Sequence, residues 1–311
     1  MKAAILEEFN GKLTIKDIDK PEVAEGKVLV RVKSAGINPV DQKLSEGYMK
    51  DNLPHEFPII LGWDLAGVVE ECGHGAARFR KGEEVYAYAR RPVLKEGTFA
   101  EYISIPESYL AKKPINISFE EAGAIPLAGL TAYQCIFDAA RLKADETILI
   151  LGASGGVGTF AVQLAKYHGS KVIAVASESN HQYLKDLGAD HCIDYKKENV
   201  PQEVKKLEKE GVAVVLDAVG GDTTKMGAEC LNKDGRLVSI ASQGEGLPEE
   251  TDFRFVFVQP NARELEHIKE LVEAGSLKVH VEKKYDLQDI NEAFEQIASG
   301  HTKGKVVVSM G

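Results

Sequence analysis

From Leu149 to Gly158 the chain reads Leu-Ile-Leu-Gly-Ala-Ser-Gly-Gly-Val-Gly, an apolar run passing into glycines, after which Phe160, Ala161, Leu164 and Ala165 recur with helical spacing. Strand, glycine turn and helix stand in the order a dinucleotide-binding unit requires. Residues without Cβ let a backbone approach a pyrophosphate, and the unsatisfied N–H groups of a first helical turn point at its oxygens. Gly152, Ala153, Ser154, Gly155, Gly156 and Val157 are therefore the candidate phosphate-binding residues. The spacing is GxxGGxG in place of GxGxxG, and a glycine turn can also be plain punctuation between strand and helix. The downstream pattern favours the first reading. Apolar strands at 148–151, 172–176, 192–194, 214–217 and 237–240 alternate with amphipathic helices starting at 156 and 179, which predicts a doubly wound parallel sheet of α/β class.

The residues before this unit have a different character. Short strand patterns at 2–7, 28–34, 67–71, 84–88 and 99–105 are separated by glycine and proline, so the first 110 or so residues read as mainly β. After about Gln259, helices at 262–274 and 287–299 lead to a strand at 305–308, a tail expected to return to the first domain. Residues 243–250, rich in Gly and Glu, read as one exposed loop. A chain of 311 residues fits two domains better than one core, so a cleft between modules is the expected place for chemistry.

Composition removes several function classes. The formal charge of -10 argues against nucleic acid or an anionic membrane surface as partner, although local backbone amides can still hold an anionic cofactor. Met1 to Glu8 is too short and too acidic for a secretory signal, so a cytoplasmic location is expected. Thr147 to Ala165 carries no charge over a membrane-spanning length, but its glycines and its change from strand to helix period make it strand, turn and helix. Cys72, Cys135, Cys192 and Cys230 form no CxxC pair, so neither a zinc knuckle nor a disulfide framework is expected, and buried free thiols are the simpler reading.

About 20 residues beyond the turn, the end of the second strand should read the cofactor's 2′ position. Ala176-Ser177 stands there. A serine leaves room for a phosphate and can donate a hydrogen bond, whereas an aspartate would repel one, so NADPH is expected over NADH. Glu178 follows directly and no arginine stands nearby. Tyr195 and Lys196, after the third strand, are either further donors or a solvated loop pair.

Around these residues the sequence resembles the quinone oxidoreductase and zeta-crystallin branch of the medium-chain dehydrogenase/reductase superfamily. The likeness runs through Asp145-Glu146, Leu149, Ala153-Ser154-Gly155-Gly156, Gly158, Gln163 and Lys166, with Pro126-Leu-Ala-Gly-Leu-Thr-Ala-Tyr133 ahead of it. It extends to Ala35-Gly-Ile-Asn-Pro-Val-Asp41 and Gly304-Lys-Val-Val-Val308, covering essentially the whole chain. The resemblance implies a GroES-like, mainly β catalytic domain at 1–118, a Rossmann domain at 119–258, and a C-terminal return at 259–311. It also implies a homodimer. It puts Ala218, Val219 and Gly220 beside the nicotinamide ribose and Ala241 and Ser242 near the carboxamide. Gly304 and Lys305 either close over the cofactor or, for Lys305, form a simple surface cation.

Zinc alcohol dehydrogenases of the same superfamily have a cysteine in the place of Asn38 and a histidine-glutamate pair after the glycine matching Gly62. Here Trp63-Asp64 follows Gly62, and residues 85–97 lack the cysteines of a structural zinc lobe, so no metal is expected. The eight histidines show no ligand spacing. Without zinc, an acceptor that spreads developing charge, a quinone or an α,β-unsaturated carbonyl, suits hydrogen-bond donors alone. Asn38, Asp41, Tyr48 and Thr131 match cleft positions of the resembled branch. Tyr48 is either the proton donor or an aromatic packing residue in a loop; Asp41 is either chemical or a helix cap; Asn38, before Pro39, also suits a structural turn. Trp63 reads as pocket wall. An enoyl or alkenal reductase with a lipid-like substrate, and a non-catalytic NADPH-binding protein, remain as alternatives.

Overall fold

Strands with β-branched residues on one face, each ended by a glycine or proline turn, make up the start of the chain in the computed structural model, which describes residues 1–311. In chain order come β1 Lys2–Leu6, β2 Thr14–Asp17, β3 Lys27–Ile37, α1 Pro39–Ser45, β4 Ile59–Ile60, β5 Asp64–Cys72, β6 Glu84–Tyr88, β7 Tyr102–Pro106, β8 Ala111–Lys112, α2 Phe119–Gly123 and α3 Pro126–Tyr133. Strand and helix then alternate through β9 Thr147–Leu151, α4 Gly156–Tyr167, β10 Lys171–Val175, α5 His181–Asp186, β11 His191–Ile193, α6 Val200–Leu207, β12 Val212–Asp217, α7 Asp222–Ala228, β13 Leu231–Ser239 and β14 Asp252–Phe255. The tail is α8 Ala262–Glu273, β15 Val281–Asp286, α9 Ile290–Ala298 and β16 Lys305–Ser309.

These elements form two compact units, one of Met1–Ala128, Pro260–Ala274 and Val279–Gly311, the other of Gly129–Gln259 with Gly275–Lys278. In the first unit β1 lies between β2 and β4, while a larger sheet runs β15-β16-β3-β5-β6-β8, with β7 also on β3. The long β3 is buried along most of its length, and β16 pairs antiparallel with its end, Val306 opposite Ile37 and Val308 opposite Ala35. The tail therefore does join the first unit's sheet. The expected strand at 99–105 is shorter than predicted. Phe99 turns its backbone toward Leu61 and Ala4, and only from Tyr102 does the chain enter the ladder with β3.

The second unit is one six-stranded sheet in the order β11-β10-β9-β12-β13-β14, every pair parallel. That order, with sequence reversing direction between β9 and β12, is the doubly wound arrangement that binds ligands outside the carboxyl ends of its strands. Leu149, Leu151, Ile173, Val175, Val212, Val215 and Leu237 build a core from strands buried on both sides. Residues 252–255, where no strand was expected, form its edge strand β14. Among the thiols, Cys135 and Cys230 are buried as expected, but Cys72 and Cys192 are only half-buried. No helix is long and apolar enough to cross a membrane.

Candidate active site

The glycine turn sits where β9 meets α4. Gly152 has φ +75, in the left-handed region that a side chain disfavours. Gly158 lies so close beneath the turn that a Cβ would come within 2.4 Å of Gly152 O and 2.6 Å of Ala153 Cα. Gly155 is the N-cap of α4 and offers no side chain to its first-turn amides, which are left for an external acceptor. Residues 154–157 are half-buried and so reachable, while Ala153 is fully buried. The expected phosphate-binding residues thus form one continuous rim.

Ser177, two residues beyond β10, is joined to that rim through Asn180, a residue without a signal of its own in the sequence. The Asn180 side-chain amide donates to Ser154 Oγ at 3.2 Å and to Ser177 Oγ at 3.3 Å. Lys197 pairs with Glu178, the one acid beside the expected 2′ position, and both side chains stay exposed. Tyr195 is exposed, with the Lys196 ammonium 5.8 Å from its ring centre. Residues 218–220 follow β12, which neighbours β9 on the other side, and residues 241–242 follow β13, the next strand beyond it. A Cβ on Gly152 would meet Val219 Cγ2 at 2.9 Å, so loop 218–220 reaches the phosphate turn.

In the first unit the structure brings Asn38 and Asp41 together and separates them from Tyr48. Asn38 is the N-cap of α1, and its backbone N–H donates to Asp41 Oδ2 at 2.8 Å, so Asp41 does serve as a cap. The Asn38 side chain is also committed. Its Nδ2 donates to Asp64 Oδ2 at 2.9 Å, and its Oδ1 accepts from Lys305 Nζ. Lys305 further donates to Ile37 O at 3.1 Å, and Leu127 N donates to Asp64 Oδ1 at 2.7 Å. Lys305 is only 4% exposed, which overturns the surface-cation reading: the start of β16 delivers it between Asn38 and Asp64, where its charge is matched. Gly304 is buried too, packed on the His280 backbone.

Burial pushes the Asp41 carboxyl up to about 7, with the Asp64 charge adding to the push and the Asn38 N–H and Lys305 opposing it. Burial likewise raises Asp64, against Lys305, and lowers Lys305, against Asp64 and Asp41. Asp41 Oδ1 lies buried without a hydrogen-bond partner. Tyr88 faces Asp64 across the β5–β6 ladder, and Trp63 packs edge-on against it, so Trp63 is a core residue of this cluster. Tyr48, by contrast, is 75% exposed, with Lys43 Nζ 5.6 Å from its ring centre. Thr131 is buried in α3.

Two family models match parts of the chain. Residues 24–115 match the alcohol dehydrogenase GroES-like domain family, and residues 187–308 match the family described as zinc-binding dehydrogenase. The NAD(P)H oxidoreductase RTN4IP1, mitochondrial, of Danio rerio is 32% identical, the match covering 91% of this chain and 83% of the relative. The chain belongs to the medium-chain dehydrogenase/reductase superfamily, in its quinone oxidoreductase branch. It is an oxidoreductase of that superfamily. The NADPH-dependent alkenal/one oxidoreductase, chloroplastic, of Arabidopsis thaliana is 34% identical over 99% of this chain and 79% of its own length. The crystal structure of Escherichia coli quinone oxidoreductase complexed with NADPH superposes with a TM-score of 0.89 at 27% identity, covering both chains fully.

One superfamily trait does not fit the residues present. Where a catalytic zinc would need thiolate or imidazole, this chain offers the Asn38 amide, the Trp63 indole and an Asp64 carboxylate already bound by Lys305, Asn38 and Leu127. No group of three His, Cys, Asp or Glu side chains is arranged to hold a metal ion. The glycine rim, in contrast, fits a dinucleotide diphosphate.

Proposed function

We propose that the chain is an NADPH-dependent reductase of quinones or α,β-unsaturated carbonyl compounds that works without zinc. The observation that carries the reading is the bare, uncapped rim at Gly152 to Val157, with Ser177 held beside it through Asn180 and no acid left unpaired at the 2′ position. Bound NADPH would supply the hydride. The chain's part is to hold the diphosphate on first-turn amides and to meet charge developing on a conjugated acceptor with hydrogen-bond donors. Tyr48, exposed in the loop after α1, is the proposed proton donor, and Asn38 and Asp41 fix the backbone from which that loop departs. A homodimer is part of the same proposal, on the family likeness alone.

The test is a screen of NADPH oxidation against naphthoquinones, 2-alkenals and enoyl thioesters, with metal content measured on the same sample. Turnover of quinones or 2-alkenals by metal-free protein is expected, with NADPH preferred over NADH. Turnover confined to enoyl thioesters would move the assignment to a lipid-like substrate. NADPH binding without oxidation would make the protein a non-catalytic binder, and stoichiometric zinc would overturn the metal-free part.

A further inference from the structure

Loops 218–220 and 241–242 share one anchor, the acid that closes β12. Asp217, the last residue of β12, is fully buried, and its partners are all uncharged donors. Oδ1 accepts the backbone N–H groups of Val219 and Gly220, both at 3.0 Å. Oδ2 accepts the hydroxyls of Thr224 at 2.7 Å and Ser239 at 2.9 Å. Ser239, itself buried at the end of β13, accepts in turn from Ala241 N at 3.2 Å and Ser242 N at 3.1 Å. One carboxylate therefore holds the first loop directly and the second through a single hydroxyl. The loops also touch, since a Cβ on Gly220 would lie 2.9 Å from Ala241 O.

A buried carboxylate without a cation is costly unless its lone pairs are used, and an apolar residue would close the strand without that cost. What the carboxylate provides is a fixed backbone in two loops that are remote in sequence. Val219, at the crest of the first loop, is left 53% exposed, an apolar side chain presented at the ligand-binding ends of the strands.

We propose that Asp217 is a positioning residue that, with Ser239 as its relay, sets the 218–220 and 241–242 backbones for the nicotinamide half of the dinucleotide. The inference rests on the NADPH reading of this unit given above. Neither side chain is exposed to touch the cofactor; both act through the loops. The Ser239 hydrogen points at Asp217, which leaves its lone pairs to the two amides. An asparagine at 217 turns an NH2 toward Ser239 or Thr224, so a hydroxyl must rotate and the amide contacts of one loop weaken.

The experiment compares Asp217→Asn and Ser239→Ala with the wild-type chain, titrating each with NADPH and with adenosine 2′,5′-bisphosphate, which lacks the nicotinamide half, alongside thermal melts. NADPH affinity should fall about tenfold or more in Asp217→Asn and by a smaller factor in Ser239→Ala, while the bisphosphate binds within about twofold of wild type. Equal losses for both ligands, or no loss for either, would overturn the proposal. If Asp217→Asn does not fold, the selective loss must appear in Ser239→Ala or the proposal fails. Wild-type protein that binds neither ligand would instead bring down the NADPH reading, and this inference with it.

Discussion

Lys305 Nζ lies 3.6 Å from Asp64 Oδ2 in the interior of the first unit, with the two side chains 5% and 0% exposed. The pair fastens the start of β16 to the start of β5, and through Asn38 to the cap of α1. With Asp41 protonated, the cluster holds one ammonium and one carboxylate and is electrically balanced. Such a pair adds little over an apolar replacement of the whole, but removing one partner strands the other's charge.

Lys305→Met should therefore destabilise the protein by about 3–5 kcal/mol, because Asp64 is left charged and buried. Adding Asp64→Asn should recover a large part of that loss. Urea unfolding of both single variants and the double variant reads the coupling. Additive losses in the double variant would show that the two side chains act independently.

Asp41 gives the protein a pH dependence of definite sign. Its folded value of about 7 stands above the ordinary 3.8, so between those values the folded state keeps a proton that the unfolded chain releases. Stability from this group is full below pH 4 and is lost as pH rises toward 7. Asp41→Asn, which keeps an acceptor for the Asn38 N–H, removes that titration. The stability of wild type relative to Asp41→Asn should fall by about 2–3 kcal/mol between pH 5 and pH 8, read from urea midpoints. A difference constant across that range would mean that Asp41 is ionised throughout.

Tyr48→Phe should lower kcat/KM for the best acceptor about 10²-fold, with the KM for NADPH unchanged, if the phenol supplies the proton. Because Tyr48 is 75% exposed, the fold should not register the change, and the melting temperature should match wild type. Full kcat/KM in the variant would remove Tyr48 from the chemistry.

How much of this was legible depended on how local each requirement is. The strands β9, β10 and β12 are apolar runs followed by turns, so the sheet could be read directly; β14, with Asp252 and Arg254 on an exposed edge, carries no apolar run and gives no strand signal. The glycine rim was legible because bare backbone is itself the requirement. Lys305 was not, since its burial depends on Asn38, 267 positions away, and a lysine shows no sign of a distant partner. Asp217 left a fainter mark: an acid closing an otherwise apolar strand, which a search for charged residues in buried runs would find, as it would Asp64.

Two glycines at this turn, one in the rim and one beneath it, separate folding from binding. At Gly158 a Cβ would lie 2.4 Å from Gly152 O and 2.6 Å from Ala153 Cα, backbone atoms that cannot swing aside. Gly158→Ala must therefore lift α4 off the turn, costing about 1–3 kcal/mol and weakening NADPH binding with it. At Gly155 the nearest atom is Gly152 O at 3.4 Å and φ is -76, so an alanine is accommodated without strain. Gly155→Ala should then melt within about 4 °C of wild type, since any change stays below about 1 kcal/mol. Its methyl group nevertheless stands on the N-cap of α4, where the diphosphate must approach, so NADPH affinity should fall about tenfold. Melting curves and NADPH titrations of the two variants side by side make the comparison. A Gly155→Ala protein that is stable and binds NADPH as wild type does would show that the diphosphate is held elsewhere.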